Sequence, residues 1–243
     1  MSLSTAASQI PDWVSNPKRP VKSAVTRVCL LAGMVVLPWF LGGYYIYIVS
    51  LVLVYTLATL GMNVMIGWTG QIGLAVAGFF GLGAYATSIL HERGLPWIIA
   101  LVAVGVFSAV IGFIDGFPAV RLFGFFLAIA SLAFGDLILR IILEADGVTG
   151  GGGGYPVQLL DFWGFDREIA LYYICLLAIV AFMVFVGRVL EGRLGRTMRA
   201  VNSIEIAAPS LGIAPPKYKL IAFMMSGSIA ALAGSIFAQL LTF

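Results

Sequence analysis

Charged side chains are scarce in this chain: Asp, Glu, Lys and Arg make up 10% of its 243 residues, against 61% hydrophobic. A water-facing domain carries about 25% charge, so too little polarity remains to coat a soluble surface. The shortage is uneven. Residues 28–91, 94–114, 122–135, 169–187 and 220–243 contain no charged side chain. Such runs are too long and too poorly alternating for the strands of an outer-membrane barrel. Cysteine and histidine are nearly absent. Cys29 and Cys175 offer no disulfide framework and no metal cluster, and His91 is the lone histidine. HExxH, CxxC and Ser/His pairs are missing, so no catalytic or metal-binding constellation can be drawn. The glycine run at 150–154 lacks the lysine of a phosphate-binding loop. The first 27 residues are polar, the hydrophobic part starts late and no small-residue cleavage site follows cleanly, so they do not read as a secretory signal peptide.

What is present reads as membrane helices. A helix needs about 20 mainly apolar residues to span a bilayer, and its backbone polar groups must be satisfied internally there. The expectation is an all-α polytopic bundle of about seven spans, at residues 28–41, 44–66, 74–90, 97–114, 125–143, 169–187 and 220–241. The third is short and glycine-rich, and reads also as a broken or re-entrant helix. Residues 1–27 form an N-terminal arm before a transmembrane domain at 28–243. Seven crossings put Lys18, Arg19, Lys22 and Arg27 on the same side as Arg121 and the basic segment 188–219. By the bias of Lys and Arg toward cytoplasmic loops, that side and the N-terminus are cytoplasmic. The acidic connection 144–168 falls outside. The net charge of +3 is spent on orientation, and no nucleic-acid partner is implied. The final apolar run reaches Phe243 without a polar tail, which reads as a chain cut short.

Small residues crowd the stretch GWTGQIGLAVAGFFGLG at 67–83. They suit close helix packing or a discontinuous helix whose free backbone groups meet a solute. Asn63 and Gln71 bracket Gly67–Gly70, and with Thr69 between them they are the candidate pathway groups. Asp136 and Arg140 lie four apart with the acid first, the favourable order for a helical ion pair. Charges within a span face protein, water or the interface, so this pair reads as structural, pathway-lining or interfacial. Thr149, Gly150 and Gly151 open the outer glycine loop, either as flexible chain or as a docking and gating element. In the segment 188–219, Leu190, Leu194, Met198 and Val201 recur at helical spacing, which predicts an amphipathic helix. Pro209 suits a helix's first turn. It predicts a break near Ala208 and a short helix before Pro215.

Four segments together resemble one family. They are GMNVMIGWTGQIGLAVAGFFGLGAYA at 61–86, PAVRLFGFFLAIASLAFGDLILR at 118–140, VTGGGGG at 148–154, and LGRTMRAVNSIEIAAPSLGIAPPKYKLIAF at 194–223. The last resembles the EAA loop of importer-type ABC permeases. The set is similar to the LivM-like subunit of branched-chain amino acid permeases, from about Tyr44 onward. The resemblance implies a multi-pass subunit of the bacterial inner membrane. It implies a homologous LivH-like permease, two cytoplasmic ABC ATPases that bind ATP-Mg, and a periplasmic or lipid-anchored solute-binding protein. The chain itself would hold no cofactor. Ala207, Ala208 and Gly212 match the small residues of the family's coupling helix. Glu205 matches its acid one position away, where Ile206 stands. Arg196 and Arg199 match the basic segment ahead of it. Asn202 stands where a basic residue is usual, Pro209 interrupts the small residues, and Ser131 and Asp136 replace the more usual Thr and Glu. Family members continue beyond the equivalent of Phe243. Leucine, isoleucine or valine is the implied cargo. Urea and short amides are the alternative, and a gradient-driven carrier is the competing class.

Overall fold

The computed structural model describes residues 21–122, 124–151, 155, 157, 166–203 and 208–241, and those residues contain helices and no strand. The chain divides into two compact units at Gly42/Gly43. The first holds α1 (Val21–Val36), followed by a 3-10 turn at Leu37–Trp39. Pro38 lacks the N–H that would continue a helix, and the Phe40 N–H closes the turn on the Leu37 carbonyl at 3.2 Å.

The second unit holds α2 (Gly43–Thr69), α3 (Val76–Glu92), α4 (Trp97–Ala119) and α5 (Phe125–Glu144). A single turn α6 (Asp146–Thr149) follows, then α7 (Arg167–Glu191), α8 (Arg193–Ser203), a 3-10 turn at Ala208–Leu211, and α9 (Pro215–Leu241). The helix α9 is the axis, packing against α2, α3 and α4. Its buried face is small: Ala230, Ala231, Ala233, Gly227 and Gly234 lie along it. A Cβ on Gly83 of α3 would fall well inside 3.0 Å of the Ala231 carbonyl oxygen, and one on Gly234 equally close to that of Phe80. On the α4 side a Cβ at Gly112 would lie 2.8 Å from the Phe223 carbonyl oxygen. Backbones therefore touch directly, the contact that lipid-embedded helices use in place of a hydrophobic driving force. Thr87 and Ser235 pair their hydroxyls across the same seam at 2.6 Å.

Among the described residues, five helices are long and apolar enough to cross a membrane: α2, α4 through Pro118, α5, α7 and α9. The expectation of about seven is corrected by two elements. The helix α1 has 16 residues and stops at the Leu37–Pro38 turn. The helix α3 has 17, because residues 70–75 leave the helix and it starts only at Val76. At about 1.5 Å per residue it is about 26 Å long against a hydrocarbon core of about 30 Å. It is enclosed by α9, α5 and α4. Without seven crossings, the parity that placed the N-terminal arm on the basic side loses its footing. Residues 1–20 of that arm lie outside the described residues.

Contacts sort the ends of the second unit instead. At one end Arg199 of α8 covers the Trp68 ring, 3.9 Å from its centroid. Leu122, Val201 and Lys219 meet there with the end of α2. At the other end Arg167 donates to the Gln239 carbonyl at 2.7 Å. Tyr155 there donates its phenol to Glu92. That hydrogen bond, aided by burial and the Glu92 charge, holds the Tyr155 pKa above its ordinary 10.0. The first end is basic and the second acidic. The helix α7 matches this arrangement, with Glu168 in its first turn and Arg188 in its last, both favourable to the helix dipole.

Candidate functional site

The chain leaves α2 through a built break. Gly70 takes φ +66°, a conformation that favours glycine, and its N–H caps the Ile66 carbonyl at 3.1 Å. The Gln71 N–H reaches the Met65 carbonyl at 3.4 Å. The Thr69 hydroxyl also donates to Met65, at 2.7 Å. Farther on, the Leu74 N–H is taken by the Ser131 hydroxyl of α5 at 2.9 Å. Non-helical backbone at membrane depth requires such partners. Behind the break lies a polar cavity of about 160 Å³ lined by Thr69, Gln71, Asn202 and Lys219, among others. Gln71 is 4% exposed, and neither atom of its side-chain amide has a hydrogen-bond partner among the described residues. Asp115 is 3% exposed near the same end of α4.

Asn63 is not in that cavity. It lies on the exposed face of α2, in an open groove with Tyr55, Thr56 and Thr59. Positions 61, 64 and 65 face inward, so position 63 faces out, and the break then turns Gln71 inside. Thr56 and Thr59 were missed in the sequence, although their spacing to Asn63 places all three on one helical face.

The helix α8 sits against the end of α2. Gly195 makes the sharp approach from α7 possible: a Cβ there would fall well inside 3.0 Å of the Leu190 carbonyl oxygen. Leu190, Met198 and Val201 are buried, whereas Leu194 is 39% exposed. Arg196 and Arg199 are exposed. Asn202 lies beside Gly70, where its Oδ1 occupies the space a Cβ would take. Beyond α8, Glu205 and Ala207 lie outside the described residues. Ala208 is 3% exposed, and Gly212 ends the 3-10 turn with φ +73° and nothing within 4 Å of an added Cβ.

Asp136 accepts from the Arg140 Nε at 2.7 Å on an exposed face of α5. At the far end of α5 the Thr149 hydroxyl lies 2.5 Å from the Ile142 carbonyl and 2.9 Å from that of Ala145, closing the helix. Gly150 and Gly151 follow with φ of 73° and 58°, and the Gly151 N–H returns to the Thr149 hydroxyl at 3.3 Å. Residues 152–154 lie outside the described residues. No group of three or more His, Cys, Asp or Glu is placed to hold a metal among the described residues.

Residues 44–243, which hold the break, α8 and the α9 axis, match the family model described as branched-chain amino acid transport system / permease component. The chain belongs to this family. It is 34% identical over 245 residues to the high-affinity branched-chain amino acid transport system permease protein LivM of Escherichia coli (strain K12). The same figures hold for the protein of that name from Salmonella typhimurium (strain LT2). Each alignment covers 90% of this chain and 58% of the relative, so the chain spans little more than half of the relatives' length. No solved structure matches it. The family is described as a transport-system permease component, and the described residues include five helices long and apolar enough to cross a membrane.

Proposed function

We propose that this chain is a permease subunit of an ATP-driven importer of leucine, isoleucine and valine. The supporting observation is the family match over residues 44–243. In this reading it pairs with a homologous LivH-like permease, two ABC ATPases that bind ATP-Mg, and a solute-binding protein. The segment 188–219 is the coupling element. Arg196, Arg199, Glu205, Ala207, Ala208 and Gly212 dock it in the ATPase, on the cytoplasmic side that its basic character indicates. The contact of α8 with Trp68 and Gly70 supports this, because motion of α8 reaches the α2 break without an intermediary. Thr69 and Gln71 then belong to the solute path at its inner end. Thr149, Gly150 and Gly151 form the outer element that meets the binding protein, and Asp136 with Arg140 is a neutral pair as a unit against a partner or headgroups.

The test is ATP-dependent uptake of labelled leucine into vesicles holding the full complex, alongside Gly212→Trp and Gly212→Ala. Both variants carry the backbone strain of a side chain at φ +73°, and only the indole adds bulk in the open space. Uptake lost in Gly212→Trp and kept in Gly212→Ala is the expected result. Uptake unaffected by Gly212→Trp overturns the docking role. Import of urea in place of leucine moves the cargo, and import that persists without ATPases replaces the ABC reading with a carrier.

A further inference from the structure

The exposed faces of the membrane-crossing helices differ in chemistry. On α4 the exposed large side chains include Ile99, Val102, Val106, Val110 and Phe113, a uniformly apolar surface suited to lipid. On α2 the exposed positions 52, 55, 56, 59, 63 and 66 follow helical spacing, and the middle of that face is Tyr55, Thr56, Thr59 and Asn63. Within that stripe the Asn63 amide is costly against bare hydrocarbon, whereas the two threonine hydroxyls bond their own helix. The stripe lines an open surface that α2 alone bounds, with Leu60 and Met62 beside it.

The stripe has a definite polarity. The Thr56 hydroxyl donates to the Val52 carbonyl at 2.7 Å and the Thr59 hydroxyl to the Tyr55 carbonyl at 2.8 Å. Their protons are thus turned into the helix, and their oxygens present lone pairs to the groove. Asn63, the next group along, has an amide that can donate as well as accept. Gly67 leaves room for it: a Cβ there would lie 2.8 Å from the Asn63 Oδ1. The Tyr55 ring is braced by stacking on Phe80, centroids 6.0 Å apart and 9° from parallel, and by Phe237 at 5.9 Å. Val52 and Ile66 add apolar surface at the two ends. No charged residue occurs from 28 to 91, so this wall has no fixed charge to match a net-charged solute.

We propose that Tyr55, Thr56, Thr59 and Asn63 form one wall of a binding site for a small zwitterion with an aliphatic side chain. Its ammonium lies against the Thr56 and Thr59 oxygens, and its carboxylate lies near the Asn63 amide. The inference rests on the transport reading above and assigns it a recognition site on α2, with a second permease subunit as the opposite wall. Net-neutral solutes are favoured, because two opposite charges can be met by dipoles whereas one alone is left uncompensated.

The test uses the assembled complex in a Cys29→Ser background, which removes the exposed cysteine and leaves the buried Cys175. Thr59→Cys is labelled with a small methanethiosulfonate, with Val106→Cys as the lipid-face control. Leucine at about four times its Kd is expected to slow labelling at Thr59→Cys about fivefold by mass action, and to leave Val106→Cys unchanged. Lysine and glutamate at the same concentration give no protection. The variant Thr56→Val/Thr59→Val keeps the shape and removes both oxygens. It is expected to raise the KM for leucine about tenfold, equivalent to about 1.4 kcal/mol, with ATPase stimulation by the binding protein retained. Two results overturn the inference: labelling at Thr59→Cys that no neutral amino acid slows in a complex that imports leucine, and a Thr59→Cys reactive in the isolated chain and unreactive once the sister subunit is bound. The second makes the stripe a subunit contact. A wild-type complex that imports nothing fails the transport reading separately, and leucine protection at Thr59→Cys in that complex would still uphold the site.

Discussion

The axis helix α9 and the outer helix α4 meet along one seam and share the same solvent-free setting, yet they are built on opposite principles. Within its apolar window α9 is 67% buried, and α4 only 28%. On α9 glycine, alanine and serine make the closest contacts, with Phe223, Ile229, Leu232 and Ile236 buried among them. On α4 the exposed residues are large and branched, and its small residues Gly105 and Gly112 are reserved for the contact with Leu232 and Phe223. In water, burial would favour the largest apolar side chains at the core. In lipid, apolar surface is satisfied anywhere, so the interior is chosen for close approach and the bulk is sent outward. The contrast explains why hydropathy ranks α4 above α9, 2.6 against 1.9, although α9 is the centre of the bundle.

The sharpest way to break this contrast is to place volume in the seam. Gly83→Ala and Gly234→Ala each set a carbon against a neighbouring backbone carbonyl, where no side chain can rotate away. Each is expected to destabilise the chain by about 3 kcal/mol, the upper end of overpacking effects, read as lower thermal unfolding in detergent. An unchanged midpoint would mean that the helices do not touch as described. A smaller effect belongs to the hydroxyl pair. Thr87→Val and Ser235→Ala in a double-mutant cycle are expected to couple by about 0.6–1.7 kcal/mol, the range for hydrogen bonds between membrane helices. A zero coupling energy would assign the seam's stability to packing alone. Smallest of all, Val106→Ala on the outer face of α4 is expected to change stability by less than about 0.5 kcal/mol. A larger loss, or failure to assemble with a sister permease, would replace lipid by protein on that face.

The sequence carried the long spans well, because a charge-free run of more than 20 residues has few other fates in a bilayer. It carried the count poorly. The run from 28 to 91 has no charge to mark where helices stop. The stop at Thr69 depends on Gly70 entering a left-handed conformation, with Ser131, 57 residues away from Leu74, accepting the freed N–H. Hydropathy registers neither. The same break separated two residues read as one site: Asn63 stays on the outer face of α2, and Gln71 turns into the inner cavity. Periodicity groups Thr56, Thr59 and Asn63 on one face, but the two threonines lie a full turn or more before the glycine-rich stretch that marks the break. The spacing of Asp136 and Arg140 is different in kind. Four residues on a helix fix the neighbours, and the 2.7 Å contact needs no tertiary information.

The position of α9 in chain order has a consequence for biosynthesis. Helices α2, α3 and α4 emerge from the ribosome well before the element that joins them, and the Thr87–Ser235 pair links residues 148 apart. Until α9 arrives, Gly83 of α3 and Gly112 of α4 have nothing to close on, although Gly78 of α3 already meets Gly135 of α5. The early helices can therefore pair with one another, but the bundle closes around its axis in a late step dominated by long-range contacts. Chaperone or insertase dependence should accordingly be set by the delay before residues 215–241 are made, more than by the hydrophobicity of any one span.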